Sequence, residues 1–188
     1  MSLNVFKTQL LRYMQTEPET SDDFAEYLTS QYDAAVKRGY DTLNLVPIQT
    51  GNTGTMEAVL KALFKKNNTI QSGVLKIADY GPAFQSYWTG AQGALFPLPV
   101  IPAPGSFQNI VSNTHIIVNP GTWSSSIPTP PTTSPTAWID ALTLGIITHL
   151  PTIQGLIVTT SLYPTAPAPT PAPGIINWTG YSLSLIHI

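Results

Sequence analysis

Residues 121–138 read GTWSSSIPTPPTTSPTAW, with four prolines, no charged residue, and Trp123 and Trp138 near the two ends. A flexible Ser/Pro-rich linker is expected to separate two self-sufficient, charged domains, whereas here only the N-terminal side of the stretch is rich in charge. Ser134 followed by Pro135 is typical of the N-cap and first turn of a helix. We therefore predict that residues 121–138 form an ordered strap that lies on protein and leads into a helix.

Charge is distributed very unevenly along the chain. All eight Lys and Arg residues lie between Lys7 and Lys76, and Asp140 is the only charged residue from Tyr80 to Ile188, a span of 109 residues. An ordinary domain has about a quarter of its residues charged. The uncharged half also contains 16 of the 18 prolines. Without a basic face to neutralise phosphates, we expect no nucleic-acid partner.

The chain contains no cysteine, which excludes disulfides and thiolate metal sites. The first residues, MSLNVFKTQLLRYM, lack the basic and apolar regions of a secretory signal peptide. These features indicate a protein that is made in a cytoplasm.

The charged half has the pattern of helices. Apolar residues at helical spacing predict a first helix over residues 3–15. Thr20 and Asp23 resemble a capping box at the start of a second helix. Lys37 and Arg38 before Gly39 predict its end, with Gly39 in the left-handed conformation.

Two more helical segments are predicted before residue 95. The third helix turns Met56, Leu60 and Phe64 inward, with Glu57 and Lys61 paired four residues apart. Around Gly81 and Pro82 we expect two helical pieces or one kinked helix, because proline removes a backbone donor. Residues 1–95 are therefore predicted to be a helical domain of three to four helices.

The uncharged half is predicted to mix strands and helix. Residues 96–105, FPLPVIPAPG, are expected to form an extended connection. Beyond it, THIIVNP, GLIVTTSLY and GIINWTGYSLSLIHI have strand patterns, and a helix is predicted from Ser134 to the residue before Pro151. We expect an α+β chain in which residues 106–188 form a Pro/Thr-rich module with a few short strands and one or two helices.

Two functional alternatives follow from local patterns. TGNTGT, residues 50–55, opens the third helix, and its backbone amides could hold an anion in a small ligand- or phosphate-binding domain or enzyme. The segment lacks the lysine of a phosphate loop, so an ordinary helix start is favoured. The apolar run 144–163 is long enough to span a membrane, but it contains Pro151, His149 and Gln154, which disfavour insertion.

No catalytic residue, metal site or cofactor site is predicted. His115, His149 and His187 are the only histidines, and acidic partners for them are scarce. Asp140 and His149 lie on opposite sides of one predicted helix, so they cannot form a dyad there. We predict a protein that is not an enzyme.

An uncharged, apolar and aromatic surface is typical of the core of a permanent protein interface. We therefore predict that the half from Tyr80 to Ile188 binds neighbouring subunits, including copies of the same chain. The C-terminal sequence YSLSLIHI would be an unprotected strand edge unless it docked on a neighbour. The candidate interface residues are Trp123, Trp138, Trp178, Tyr181, Leu183, Leu185 and Ile188.

Two segments of the chain, SYWTGAQGALFPLPVIPAPG and VNPGTW with the Thr/Pro run that follows, resemble small virion structural proteins of large tailed bacteriophages. The resemblance covers roughly residues 80–165 and includes no catalytic motif. It implies a head, head-tail connector or tail component that is located in the virion and binds other virion proteins.

Overall fold

The computed structural model of the chain describes residues 3–16, 20–41, 48–69, 75–93, 109–130, 134–162 and 174–183. The helices are α1 (Leu3–Gln15), α2 (Ser21–Val36), α3 (Thr53–Thr69), α4 (Gly81–Trp88) and α5 (Pro135–His149). Short 3-10 helices occupy Ile77–Tyr80 and Leu150–Thr152. The strands are β1 (Tyr40–Asp41), β2 (Ile48–Thr50), β3 (Gln92–Gly93), β4 (Asn109–Asn119), β5 (Gln154–Leu162), β6 (Gly174–Thr179) and β7 (Tyr181–Ser182).

The first two helices start as the sequence predicts. In α1, Leu3, Phe6 and Leu10 are buried on one face. At the start of α2, the Thr20 hydroxyl accepts a hydrogen bond from the Asp23 amide at 3.1 Å and donates to the Asp23 carboxylate at 2.7 Å. These bonds satisfy a backbone donor that the first turn of a helix leaves free, and they confirm the predicted cap.

The end of α2 differs from the prediction. Gly39 is not among the glycines with positive φ, so the helix has no left-handed stop there. A Cβ on Gly39 would lie 2.5 Å from Cε1 of Tyr181 and 2.6 Å from the backbone oxygen of Ser182. The position requires glycine because β7 passes close to the backbone, a contact that local sequence does not reveal.

The third and fourth helices pack on each other, α3 packs on α2, and the rings of Phe84 and Tyr87 on α4 contact Tyr32 of α2. Met56 and Leu60 are fully buried, and Lys61 pairs with Glu57 at 2.6 Å, as predicted for α3. The break predicted at Gly81 and Pro82 is a change of helix type, from the 3-10 turn Ile77–Tyr80 to α4. Pro82 lies in the first turn of α4, where a missing amide costs no intrahelical bond.

The main sheet is antiparallel, with the strand order β4-β5-β6. Ile116 on β4 lies opposite Leu156 on β5, which lies opposite Asn177 on β6. The predicted strands in THIIVNP and GLIVTTSLY are thus confirmed, and the structure pairs them in one sheet. Two smaller pairs, β1 with β7 and β2 with β3, join segments that are distant in the sequence.

The α+β class is confirmed, and the described hydrophobic core extends from the charged half into the uncharged half. Helix α5 begins where Ser134 accepts a bond from the Ala137 amide at 3.3 Å, and it packs against α1. The predicted connection over residues 96–105 lies outside the described residues. The division into domains at that connection stays a prediction.

Asp140, the single charge of the second half, forms an ion pair with Lys7 and so joins α5 to α1. The two side chains are 52% and 38% exposed, and solvent therefore screens most of their attraction. We expect Asp140→Asn to lower the free energy of unfolding by less than about 1 kcal/mol, and by less still in 1 M salt. Urea denaturation at low and high salt measures this, and a loss above about 2 kcal/mol would show that the carboxylate does more than pair with Lys7.

Candidate assembly surface

Trp123 lies in a slot between two helices. Its ring stacks on Phe84 at a centroid distance of 4.8 Å, and its Nε1 donates to the backbone oxygen of Ile77 at 3.1 Å. A Cβ on Gly81 of α4 would lie 2.9 Å from the Trp123 side chain, and one on Gly145 of α5 would lie 2.4 Å from its ring. The indole thus occupies space that two glycines leave open.

The residues around Trp123 are held to the protein on both sides. Gln85 of α4 donates to the backbone oxygen of Gly121 at 2.8 Å, and the Thr122 amide donates to the Thr152 hydroxyl at 2.7 Å. Further along, the Thr129 hydroxyl accepts from the Ile77 amide at 3.2 Å. The described part of the 121–138 stretch is therefore a strap on the protein surface, as predicted, and residues 131–133 lie outside the described ranges.

Tyr181 joins the C-terminal region to the helical part of the chain. Its hydroxyl donates to the backbone oxygen of Val36 at 2.7 Å and accepts from the Ile48 amide at 3.1 Å. Its ring contacts Trp88 edge to face at 4.9 Å. These bonds tie the end of α2, the start of β2 and β7 to one side chain.

The other candidate interface residues also contribute to packing within the chain. Trp178 is buried over Gly155, its cross-strand partner, and Leu183 is buried as well. Trp138 is half-buried and packs on Tyr80 at a centroid distance of 5.5 Å. Leu185 and Ile188 lie outside the described residues.

The structure thus places Trp123, Trp178, Tyr181 and Leu183 in the core of the chain itself. Aromatic residues without neighbouring charges are typical both of a protein core and of an interface core, so their sequence pattern does not separate the two. Little of these four side chains is accessible to a second subunit in this fold. A direct contact between them and a neighbour stays a prediction.

The exposed apolar side chains lie elsewhere in the uncharged half. On β4, Ile116 is 43% exposed and Val118 is 54% exposed, whereas Ile117 between them packs on the core. On α5, Leu144 and Ile147 are 47% and 44% exposed. These residues are not among those predicted from the sequence, although the period of two in a strand separates Ile116 and Val118 from Ile117.

Ile116 and Val118 belong to a wider uncharged surface, which we call the outer sheet face. Strand register places Ile116 beside Leu156 and Asn177 on the side of the sheet opposite Trp178. The members of the outer sheet face are Ile116, Val118, Gln154, Leu156, Asn177 and Thr179. Its amides, hydroxyl and aliphatic groups can hydrogen-bond and pack against a partner without desolvating a charge.

Buried tyrosines act as hydrogen-bonding groups in the helical core. Burial raises the pKa of Tyr32, whose hydroxyl accepts from Nε1 of Trp88 at 2.9 Å. Burial also raises the pKa of Tyr87, and the nearby Asp33 carboxylate, to which Tyr87 donates at 2.8 Å, acts in the same direction. Both hydroxyls therefore stay protonated at neutral pH and serve to align α2 with α4.

The glycine-rich segment at the start of α3 has the geometry of a capped helix. Oδ1 of Asn52 accepts from the Thr55 amide at 3.3 Å and from the Thr55 hydroxyl at 2.8 Å. The ring of Tyr87 lies directly on Gly51, where a Cβ would be 1.9 Å from Cζ. Capping thus explains Asn52 and packing explains Gly51, whereas a Cβ on Gly54 would meet no atom within 4 Å.

Within the described ranges, no group of three or more His, Asp or Glu side chains is placed to hold a metal ion. No helix in those ranges, α5 included, is long and apolar enough to cross a membrane. Comparisons of the chain with protein-family models, with curated proteins and with solved structures gave no match. The inference of function therefore depends on the chain's own surface chemistry.

Proposed function

We propose that the protein is a structural subunit of a virus particle, as a head, head-tail connector or tail component, and that it binds neighbouring subunits through its uncharged half. The observation that carries this proposal is the outer sheet face, where Ile116 and Val118 are exposed on an uncharged surface. The partners are other virion proteins and copies of the same chain. The resemblance of residues 80–165 to virion structural proteins supports a location of the protein in the virion.

Burial of the aromatic residues does not explain the missing charges, because exposed positions are uncharged as well. Gln154, Asn177 and Thr179 are exposed on the sheet, and Leu144 and Ile147 are exposed on α5. Ordinary surfaces carry lysine and glutamate at many such positions. A surface that forms the core of an interface is depleted of them, since each buried charge must be desolvated.

Strand β4 supports the same proposal. Its sequence, NIVSNTHIIVN, contains no charged residue and no proline over eleven residues. Isolated proteins usually protect their edge strands with charges, prolines or bulges that prevent association. Among the described residues, β4 is hydrogen-bonded to β5 alone, and its register is irregular near Ser112 and near Asn119. The two-residue strand β3 also lies against β4, without forming a ladder with it.

A double substitution on the outer sheet face tests the proposal. We expect Ile116→Glu with Val118→Glu to reduce assembly with particle components, or self-association, by about tenfold or more, because two charges would be desolvated at the contact. Analytical ultracentrifugation and co-sedimentation with assembled particles measure the effect. Circular dichroism checks that the variant remains folded.

Ser30→Glu with Ala58→Glu is the matched control, since it adds the same charge at exposed positions of α2 and α3. The control should assemble like the unmodified chain. Equal assembly by both double variants would contradict the role of the outer sheet face. A chain that stays a monomer at high concentration and never joins particle components would contradict the proposed function itself.

A further inference from the structure

His149 closes a junction between β4, the strap and α5. It is the last residue of α5 and is fully buried, with Nε2 at 2.8 Å from the backbone oxygen of Pro120. A carbonyl oxygen only accepts, so Nε2 carries the hydrogen and the neutral ring leaves Nδ1 unprotonated. Nδ1 is buried and has no hydrogen-bond partner.

The strap packs closely around this ring. Gly121 has a φ of +86°, and a Cβ there would lie 2.8 Å from Nε2 of His149. The Thr152 hydroxyl donates to the His149 backbone oxygen at 2.6 Å and accepts from the Thr122 amide at 2.7 Å. The Trp123 ring lies 5.7 Å from the imidazole, centroid to centroid.

No described residue of the neighbouring elements brings a compensating charge to His149. Residues 117–130 and the turn 150–153 contain no titratable side chain, and Asp140, the carboxylate of α5, is exposed on the opposite side of that helix. On the other elements that pack on α5, Lys7 of α1 is paired with Asp140, and the exposed Asp79 accepts from the Lys76 amide. On α4, the titratable Tyr87 is engaged with Asp33. A proton on Nδ1 would therefore place a charge and a donor in a site that offers neither an acceptor nor a counter-charge.

We propose that His149 is an acid-sensitive latch, which holds residues Pro120–Trp123 at the start of the strap against the end of α5 when it is neutral and releases them when it is protonated. Release separates the end of the β4–β5 pair at Asn119 and Gln154 from the helical part of the chain. This inference concerns the chain itself and does not depend on the proposed assembly function.

The direction of the pH dependence follows from the surroundings of the ring. Burial lowers the pKa of His149 from 6.5 to about 4, and the bond to Pro120 opposes this change. A lowered pKa means that the open state binds the proton more readily than the closed state. The latch is therefore most stable above pH 6.5 and weakens as the pH falls toward 4, with the open-to-closed ratio about 20-fold higher at pH 5 than at pH 7.

Hydrogen exchange of the full-length chain tests the latch. The protection factor of the Thr122 amide, corrected for intrinsic exchange, should fall about 20-fold between pH 7 and pH 5. The amide of the buried α3 residue Leu60 should remain much better protected than that of Thr122 at both pH values, because it exchanges only when the whole core opens. His149→Gln retains a donor for the Pro120 oxygen but cannot titrate, so its Thr122 protection should not depend on pH. A proton NMR titration of the His149 ring in the unmodified chain should have its midpoint near the lowered pKa.

Three results would overturn the proposal. One is a His149 midpoint near 6.5, which would mean that the ring is not held in its neutral form. Another is equal protection of the Thr122 and Leu60 amides at pH 5, which would show global unfolding in place of local release. The last is a protection factor of the Thr122 amide that depends on pH in His149→Gln as it does in the unmodified chain. If that variant does not fold, the ring titration and the comparison of Thr122 with Leu60 decide between the outcomes.

Discussion

Trp123→Ala is expected to lower the free energy of unfolding by about 3–5 kcal/mol, the range for removing a large aromatic side chain from a core. The substitution deletes the stack on Phe84 and the bond to the Ile77 backbone, and it leaves a cavity between α4 and α5. Urea denaturation followed by far-ultraviolet circular dichroism measures the change. Leu144→Ala is the control, because Leu144 is an exposed residue of α5. It should change the free energy of unfolding by no more than about 0.5 kcal/mol.

The fit between Trp123 and Gly145 adds a stricter test of the same contact. In an ordinary helix interior, Gly→Ala stabilises by about 0.5–1 kcal/mol. At Gly145 we expect the opposite sign, a loss of about 1–3 kcal/mol, because the new Cβ would lie 2.4 Å from the Trp123 ring. In the Trp123→Ala background the loss should disappear, and strictly additive effects would contradict the slot.

Tyr181→Phe is expected to lower the free energy of unfolding by about 1–3 kcal/mol, because it removes the hydroxyl that accepts from the buried Ile48 amide. The Val36 oxygen loses its bond from Tyr181 but keeps the one from the Gly39 amide. Denaturation measures the total loss, and faster hydrogen exchange of the Ile48 amide locates it. Tyr27→Phe is the matched control, since its hydroxyl donates to the Gln9 oxygen at 3.3 Å in a partly exposed site. The control should lose less than about 1 kcal/mol.

These experiments also separate the two possible roles of Tyr181. A loss of stability in the isolated chain identifies it as a core residue, as the structure places it. Normal stability combined with failed assembly would instead identify it as an interface residue, as the sequence alone suggested.

The elements of this fold were predictable where their signals are local. The spacing of Leu3, Phe6 and Leu10 predicts the buried face of α1, and Thr20 with Asp23 predicts the start of α2. Ser134 and Pro135 likewise predict the start of α5. Each signal involves residues within one or two turns, so the backbone geometry that it requires is independent of the rest of the chain.

The candidate site was predicted less well, because exposure is a property of the assembled chain. A lack of charge with many aromatic residues indicated the uncharged half as a binding region, and the outer sheet face lies in that half. The same pattern could not distinguish Trp123, which is buried in the chain, from Ile116, which is exposed. Burial depends on which elements cover a residue, and those elements come from distant parts of the sequence.

The sequence by itself determined the class of the fold, the helix starts, the main strands and the exclusion of charge from one half. Only the tertiary structure decided why Gly39 and Gly145 must be glycine, since each lies under a ring from another part of the chain. The physical reason is the range of the interactions. Caps and periodicities act over a few residues, whereas a slot for an indole exists only after two helices and a strap have come together.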